Sequence, residues 1–155
     1  MEKNIGEKKT MMMQKEGYKY FDTTADIGID VIADNMNLAF KFAAIGVMNL
    51  ITDVDKIEPQ KPMQVNLTSE DIDSLLYDWI TELLMLLNSD NYIASEYDIK
   101  ITQKESEYHL EALMMGDIYD TTKYNYKTEV KAITYHLMEI KKENDQIHMR
   151  FIVDI

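Results

Sequence analysis

The feature that most constrains this chain is one helix. Ile72, Leu75, Leu76, Trp79, Ile80, Leu83, Leu84 and Leu87 are spaced at 0, 3, 4, 7, 8, 11, 12 and 15, which lays an apolar stripe along a single face. A stripe that long must be buried against something, so the chain needs a core. Ser69-Glu70-Asp71-Ile72 supplies the polar start of that helix. A second helix is predicted over Met36–Ile51, with Asn35 as its N-cap and Met36, Phe40, Ala43, Ala44, Val47, Leu50 and Ile51 recurring at three and four.

Elsewhere the period falls to two. In Ala25 to Ala33 the apolar residues Ile27, Ile29, Val31 and Ala33 alternate with Asp26, Gly28 and Asp30, the pattern of a half-buried strand. A short strand is expected at Met63–Leu67. Two hairpins follow: Tyr97–Thr102 with Tyr108–Asp117, and Thr128–Lys141 with Ile147–Asp154, the latter turning at Glu143-Asn144-Asp145. Helices that are few, strands that are many and joined as hairpins, give an α+β class: two helices packed on one face of a largely antiparallel β-sheet. At 155 residues this is one domain, residues 18–155, preceded by a lysine-rich extension, residues 1–17, without periodicity and expected to be mobile.

The absence of Cys removes disulfides, thiolate zinc sites, iron-sulfur clusters and Cys nucleophiles together. No apolar run reaches the ~18 residues that span a bilayer, and the start MEKNIGEKKT lacks a signal-peptide core, so a soluble cytoplasmic protein is expected. The net charge is -12, and it is unevenly placed: residues 22–98 hold 15 acids against 3 bases, whereas residues 121–155 hold 6 bases against 5 acids. Such a surface repels a phosphate backbone, which argues against autonomous high-affinity nucleic-acid binding, although a local patch from the C-terminal third could still touch a phosphate or an acidic protein; with no spanning run, no membrane role is expected. Familiar chemistry is missing too: there is no GxxxxGK[ST], GxGxxG, HExxH, GxSxG or EF-hand loop.

Strand parity singles out two acids. Asp26 lies on the non-core phase of the first predicted strand, and Asp154 on the non-core phase of the last, where Ile147, Met149, Phe151, Val153 and Ile155 form the apolar phase. If those strands are neighbours, Asp26, Asp154 and the terminal carboxylate of Ile155 converge, a concentration of charge that suits a hard divalent cation such as calcium or magnesium. The alternative is a strand-edge carboxylate and an unremarkable terminal one. His136 is either a site residue or a hydrogen-bonded strand filler. Lys131 is either a solvated edge lysine or a holder of a phosphate or a partner's acid. In Val130-Lys131-Ala132-Ile133-Thr134-Tyr135-His136 the two point to opposite sides unless a bulge intervenes.

Four blocks then carry a family likeness. Tyr20-Phe21-Asp22-Thr23-Thr24-Ala25-Asp26-Ile27-Gly28, Leu75-Leu76-Tyr77-Asp78-Trp79-Ile80-Thr81-Glu82-Leu83-Leu84, Val130 to His136, and Val153-Asp154-Ile155 stand in the order seen in the archease family, which the chain resembles from about Tyr18 onward. The resemblance implies an accessory protein, not itself a catalyst, that activates an RtcB-class RNA ligase in tRNA splicing by promoting its guanylylation and multiple turnover. It also implies a metal site at Asp26, Asp154 and Ile155, and a role in ligase activation for Lys131 and His136. Thr23 stands where the family usually has His, and Gly116-Asp117 where it often has Gly-Glu. Rival readings are a stand-alone metal-dependent phosphoesterase and a chaperone-like scaffold in RNA processing.

Overall fold

The computed structural model describes residues 14–155. The sequence reading of residues 1–13, the greater part of the N-terminal extension, lies outside the described residues; Gln14 is held by Gln146 through its backbone N–H and carbonyl, and Gly17 begins the first strand. The elements run β1 (Gly17–Asp22), β2 (Asp26–Ala33), α1 (Met36–Ile51), a short 3-10 turn (Val54–Lys56), β3 (Lys61–Ser69), α2 (Ile72–Asp90), β4 (Tyr92–Lys104), β5 (Glu107–Ile118), β6 (Ala132–Glu143) and β7 (Gln146–Asp154). The α+β class and its two helices are as expected.

The single sheet of the sequence reading is in fact two, one ordered β1-β2-β7-β6 and the other β3-β5-β4, antiparallel throughout. Among the described residues no strand of one sheet packs on a strand of the other; α1 and α2 each touch both sheets and form the layer between them. Sequence explains why the helices can do this. On α1, Ala39, Phe40, Ala43, Ala44, Val47, Met48 and Ile51 are all buried, about half the circumference of the helix rather than one narrow stripe. Trp79, fully buried on α2, donates its indole N–H to the Phe40 carbonyl at 3.1 Å and ties the helices together. The caps are Asn35, whose side chain accepts from the Leu38 N–H, and Asp71, which accepts from the Ser74 N–H. Neither helix is long and apolar enough to cross a membrane.

In the four-stranded sheet, Ile29, Val31 and Ala33 of β2 and Met149, Phe151 and Val153 of β7 face the helices and are buried. The opposite face carries Asp26, Gly28 and Asp30 against Asp154, Ile152 and Arg150. There Arg150 makes a two-pronged ion pair with Asp30, at 2.7 and 2.9 Å, and its guanidinium covers the Phe21 ring, which lies over Gly28.

Candidate functional site

The first requirement of the sequence argument was that the first and last strands of the domain core meet. They do: β2 and β7 are antiparallel neighbours, and Asp26 is the direct cross-strand partner of Asp154. Opposed residues in such a pair carry their Cβ atoms about 5 Å apart on one face. The Asp26 carboxyl is accordingly held above its ordinary range, by its partial burial first, then by a hydrogen bond and charge repulsion from Asp154, with His136 acting in the opposite direction. Two carboxyls so placed share a proton or share a cation.

The surroundings are those of an oxygen-donor site. Ile155, the neighbour of Asp154, is 38% exposed and so reaches solvent. Thr23 lies in the turn between β1 and β2, where its N–H reaches the Asp26 carbonyl at 3.4 Å; its hydroxyl is buried without a hydrogen-bond partner among the described residues. A buried hydroxyl with no partner is costly. Among the described residues no three His, Cys, Asp or Glu side chains form a ready-made cage. The donors that the pairing brings together are two carboxylates, hard oxygen ligands of the kind calcium and magnesium accept.

Lys131 and His136 reach this corner by different routes. Ala132, not Lys131, is the β6 partner of Asp154; the Lys131 backbone N–H donates to the Asp154 carbonyl at 2.8 Å, while its side chain is exposed. His136 lies in a bulge. Pairing of β6 with β7 runs regularly to Thr134↔Ile152 and resumes at Glu139↔Arg150, so four residues oppose Phe151 alone. The bulge brings His136 to where its charge acts on Asp26. Simple parity, which put Lys131 and His136 on opposite sides, therefore stops applying after Thr134.

Three residues of this region escaped the sequence reading. Tyr135 and Leu137 are 53% and 56% exposed, and Tyr77 of α2 stacks on Tyr135 with ring centres 4.4 Å apart and planes within 6°. A signal existed: Ile133, Tyr135 and Leu137 keep odd phase, then Met138 and Ile140 switch to even. A change of phase within a strand marks a bulge. Farther along the same face a concavity of about 330 Å³ is lined by Lys19, Asp30, Glu139, Lys141, His148 and Arg150, but its strongest charges, Arg150 and Asp30, already satisfy each other.

Comparison with known proteins agrees with this layout. The model of the archease protein family matches residues 18–155. The archease of Sulfurisphaera tokodaii is 37% identical over 143 residues, 92% of this chain and all of that one. The archease of Methanothermobacter thermautotrophicus is 35% identical, over 90% of this chain and 99% of its own. The solution structure of a Methanobacterium thermoautotrophicum protein superposes with a TM-score of 0.79 at 34% identity, covering 91% of this chain and all of that one. A Thermotoga maritima archease, described as a possible chaperone, shares the fold with a TM-score of 0.52 at 16% identity over 88% of this chain and 96% of its own. This chain is a member of the archease family.

Proposed function

We propose that the protein is a cytoplasmic accessory factor that activates an RtcB-class RNA ligase in tRNA splicing, promoting guanylylation of the ligase and its repeated turnover, with a divalent cation held by Asp26, Asp154 and the terminal carboxylate of Ile155. The observation that carries this reading is the cross-strand Asp26–Asp154 pair, which holds the Asp26 carboxyl above its ordinary range. A cation bound there supplies positive charge against phosphate oxygens. The chain's own residues do the rest. Asp26 and Asp154 hold the oxygen ligands at a fixed cross-strand spacing, the Thr23 hydroxyl lies within the same turn, and the Lys131 N–H fixes the carbonyl of Asp154. The Lys131 ammonium, on an exposed side chain, is suited to a phosphate or a carboxylate of the partner.

The protein is an activator rather than a catalyst in this reading. Its carboxylates sit at the end of the two inner strands of the sheet, both partly exposed. The test is guanylylation of the cognate ligase with wild type, Asp26→Asn and Asp154→Asn at matched folding. Loss of stimulation of roughly tenfold or more is expected, on the scale of removing a metal-site ligand or its support. Full stimulation by both variants would refute the proposal.

The exposed Tyr135 and Leu137 favour a second reading, a chaperone-like scaffold, and a Thermotoga maritima relative is described as a possible chaperone. It makes the opposite demand: aspartates dispensable, apolar residues not. A stand-alone phosphoesterase would show turnover of simple phosphoesters by the pure protein with metal alone.

A further inference from the structure

Strands β1, β6, β3 and β4 lie at sheet edges, and an edge strand offers a row of unpaired N–H and C=O groups to any other extended chain. Three of these edges are blunted. β1 is only six residues long and carries Lys19 and Asp22. β6 is interrupted by its bulge and carries Glu139, Lys141, Lys142 and Glu143. β4 shifts register between Ala94 and Glu96, carries Glu96, Asp98, Lys100 and Lys104, and has its Ile101 N–H taken by the Asn37 side chain at 2.9 Å. β3 lacks these devices. It pairs with β5 without a break from Lys61↔Gly116 to Ser69↔Tyr108, and beyond Lys61 and Pro62 at its start it has no charge, no proline and no bulge. Among the described residues the elements touching β3 are β5, its ladder partner, and α2, in the layer beneath the sheet. In a chain of net charge -12, Met63 to Ser69 is therefore a straight, neutral and uncovered edge.

The side chains say what such an edge fits. Val65 is buried, while Met63 and Leu67 on either side of it pack on the core and stay partly exposed. On the outer face Gln64, Asn66 and Thr68 are exposed. Lys61 opens the strand and Glu70 stands just past its end, both exposed. Turned about a two-fold axis at Val65, this stretch is its own complement. Met63 falls opposite the partner's Leu67, Gln64 opposite the partner's Asn66, and Lys61 opposite the partner's Ser69 and diagonal to the partner's Glu70. Odd positions meet odd ones, so the apolar face continues as an apolar face. Parallel pairing would instead set like charges together at both ends.

We propose that the free edge of β3 is a self-association surface, where a second copy adds its own β3 antiparallel and fuses the two three-stranded sheets into one continuous sheet. The aspartate pair lies on the other sheet and takes no part. The charge of each copy opposes the meeting, so the dimer is weak and forms at high protein concentration.

Sedimentation equilibrium of the full chain from about 10 μM to about 1 mM tests this. Wild type is expected to pass from monomer to dimer within that range. Gln64→Lys/Asn66→Lys sets lysines of both copies side by side on an exposed face, and is expected to raise the dissociation constant about tenfold or more with the thermal midpoint nearly unchanged. Lys61→Glu is expected to weaken the dimer, and Glu70→Lys added to it to restore the wild-type constant, because antiparallel β3 pairing brings those two positions together. A wild type that stays monomeric at about 1 mM overturns the proposal and leaves the edge to a strand of some other protein. A dimer indifferent to the paired lysines overturns it too, by placing the interface elsewhere. A charge reversal that fails to restore association overturns the antiparallel pairing on which the proposal stands.

Discussion

Asp26 is a carboxyl whose ionisation its own fold opposes. Because its value is raised, chiefly by partial burial and then by Asp154, the charged form opposes folding: the penalty sets in as pH rises through the ordinary carboxylate range and is complete above the raised value. In the absence of divalent ions Asp26→Asn should therefore leave thermal stability unchanged or improved at neutral pH. Calcium or magnesium should raise the melting temperature of wild type and not of the variant. A scanning calorimetry series with and without the ion checks both. Asp117 behaves in the reverse sense. It is 6% exposed, accepts from the Tyr124 hydroxyl at 2.6 Å and from Lys123 at 3.1 Å, and the Tyr124 bond above all holds its carboxyl below the usual range. Its contribution is present above the ordinary carboxylate value and disappears as pH falls through the lowered one. Urea unfolding of Tyr124→Phe should show a loss of about 1 kcal/mol at neutral pH, and a loss that shrinks toward strong acid as Asp117 is protonated. That β2 and β7 are neighbours was not legible, but the facing of Asp26 and Asp154 was, because alternation fixes facing and both strands showed it. Thr23, Tyr135 and Leu137 were not, since an unsatisfied hydroxyl and an exposed ring are facts of packing.

The helices declare themselves locally and the strands less so. Met36–Ile51 and the α2 stripe follow from spacing and a polar cap, both short-range properties. Asn35→Ala removes an acceptor 2.9 Å from the Leu38 N–H and should cost about 1 kcal/mol in chemical denaturation. Strand β1 went unseen because its burial is mixed, two exposed residues in the middle of an edge strand with no clean alternation. Strand β5 shows what an element demands of its neighbour: Gly116 pairs with Ala94 where β4 shifts register, and a side chain there would strike the Ile93 carbonyl and the Ala94 Cα. Gly116→Ala must move backbone rather than a flexible tip, and a loss of roughly 1–3 kcal/mol is expected, read from the urea midpoint. Gly28→Ala meets only the Phe21 ring, which can swing away at the expense of its contact with Arg150.

At the level of the whole molecule, two sheets joined through a helical layer place the aspartate pair at the end of the two inner strands of one sheet and the Asp117–Tyr124 fastening at the end of the central strand of the other. The division into two sheets was not readable in advance, because hairpin signals specify neighbours in sequence while sheet membership depends on β2 with β7 and β3 with β5, strands far apart along the chain. The net charge of -12 makes the approach to a basic partner an electrostatic event. Raising salt from about 50 to 500 mM, which shortens the screening length from about 14 to 4 Å, should slow association with the proposed ligase partner steeply and leave dissociation almost untouched, a split that stopped-flow kinetics resolves. The odd register step in β6 has one more consequence. Excising Tyr135, His136 and Leu137 would join Thr134 directly to Met138, set Met138 opposite Phe151, and leave every residue from Glu139 onward with the partner it has now. The projection is thus a removable part: the shortened chain should fold to an uninterrupted hairpin, and evolution or design could graft a different three-residue insert at that one point without rewriting the sheet.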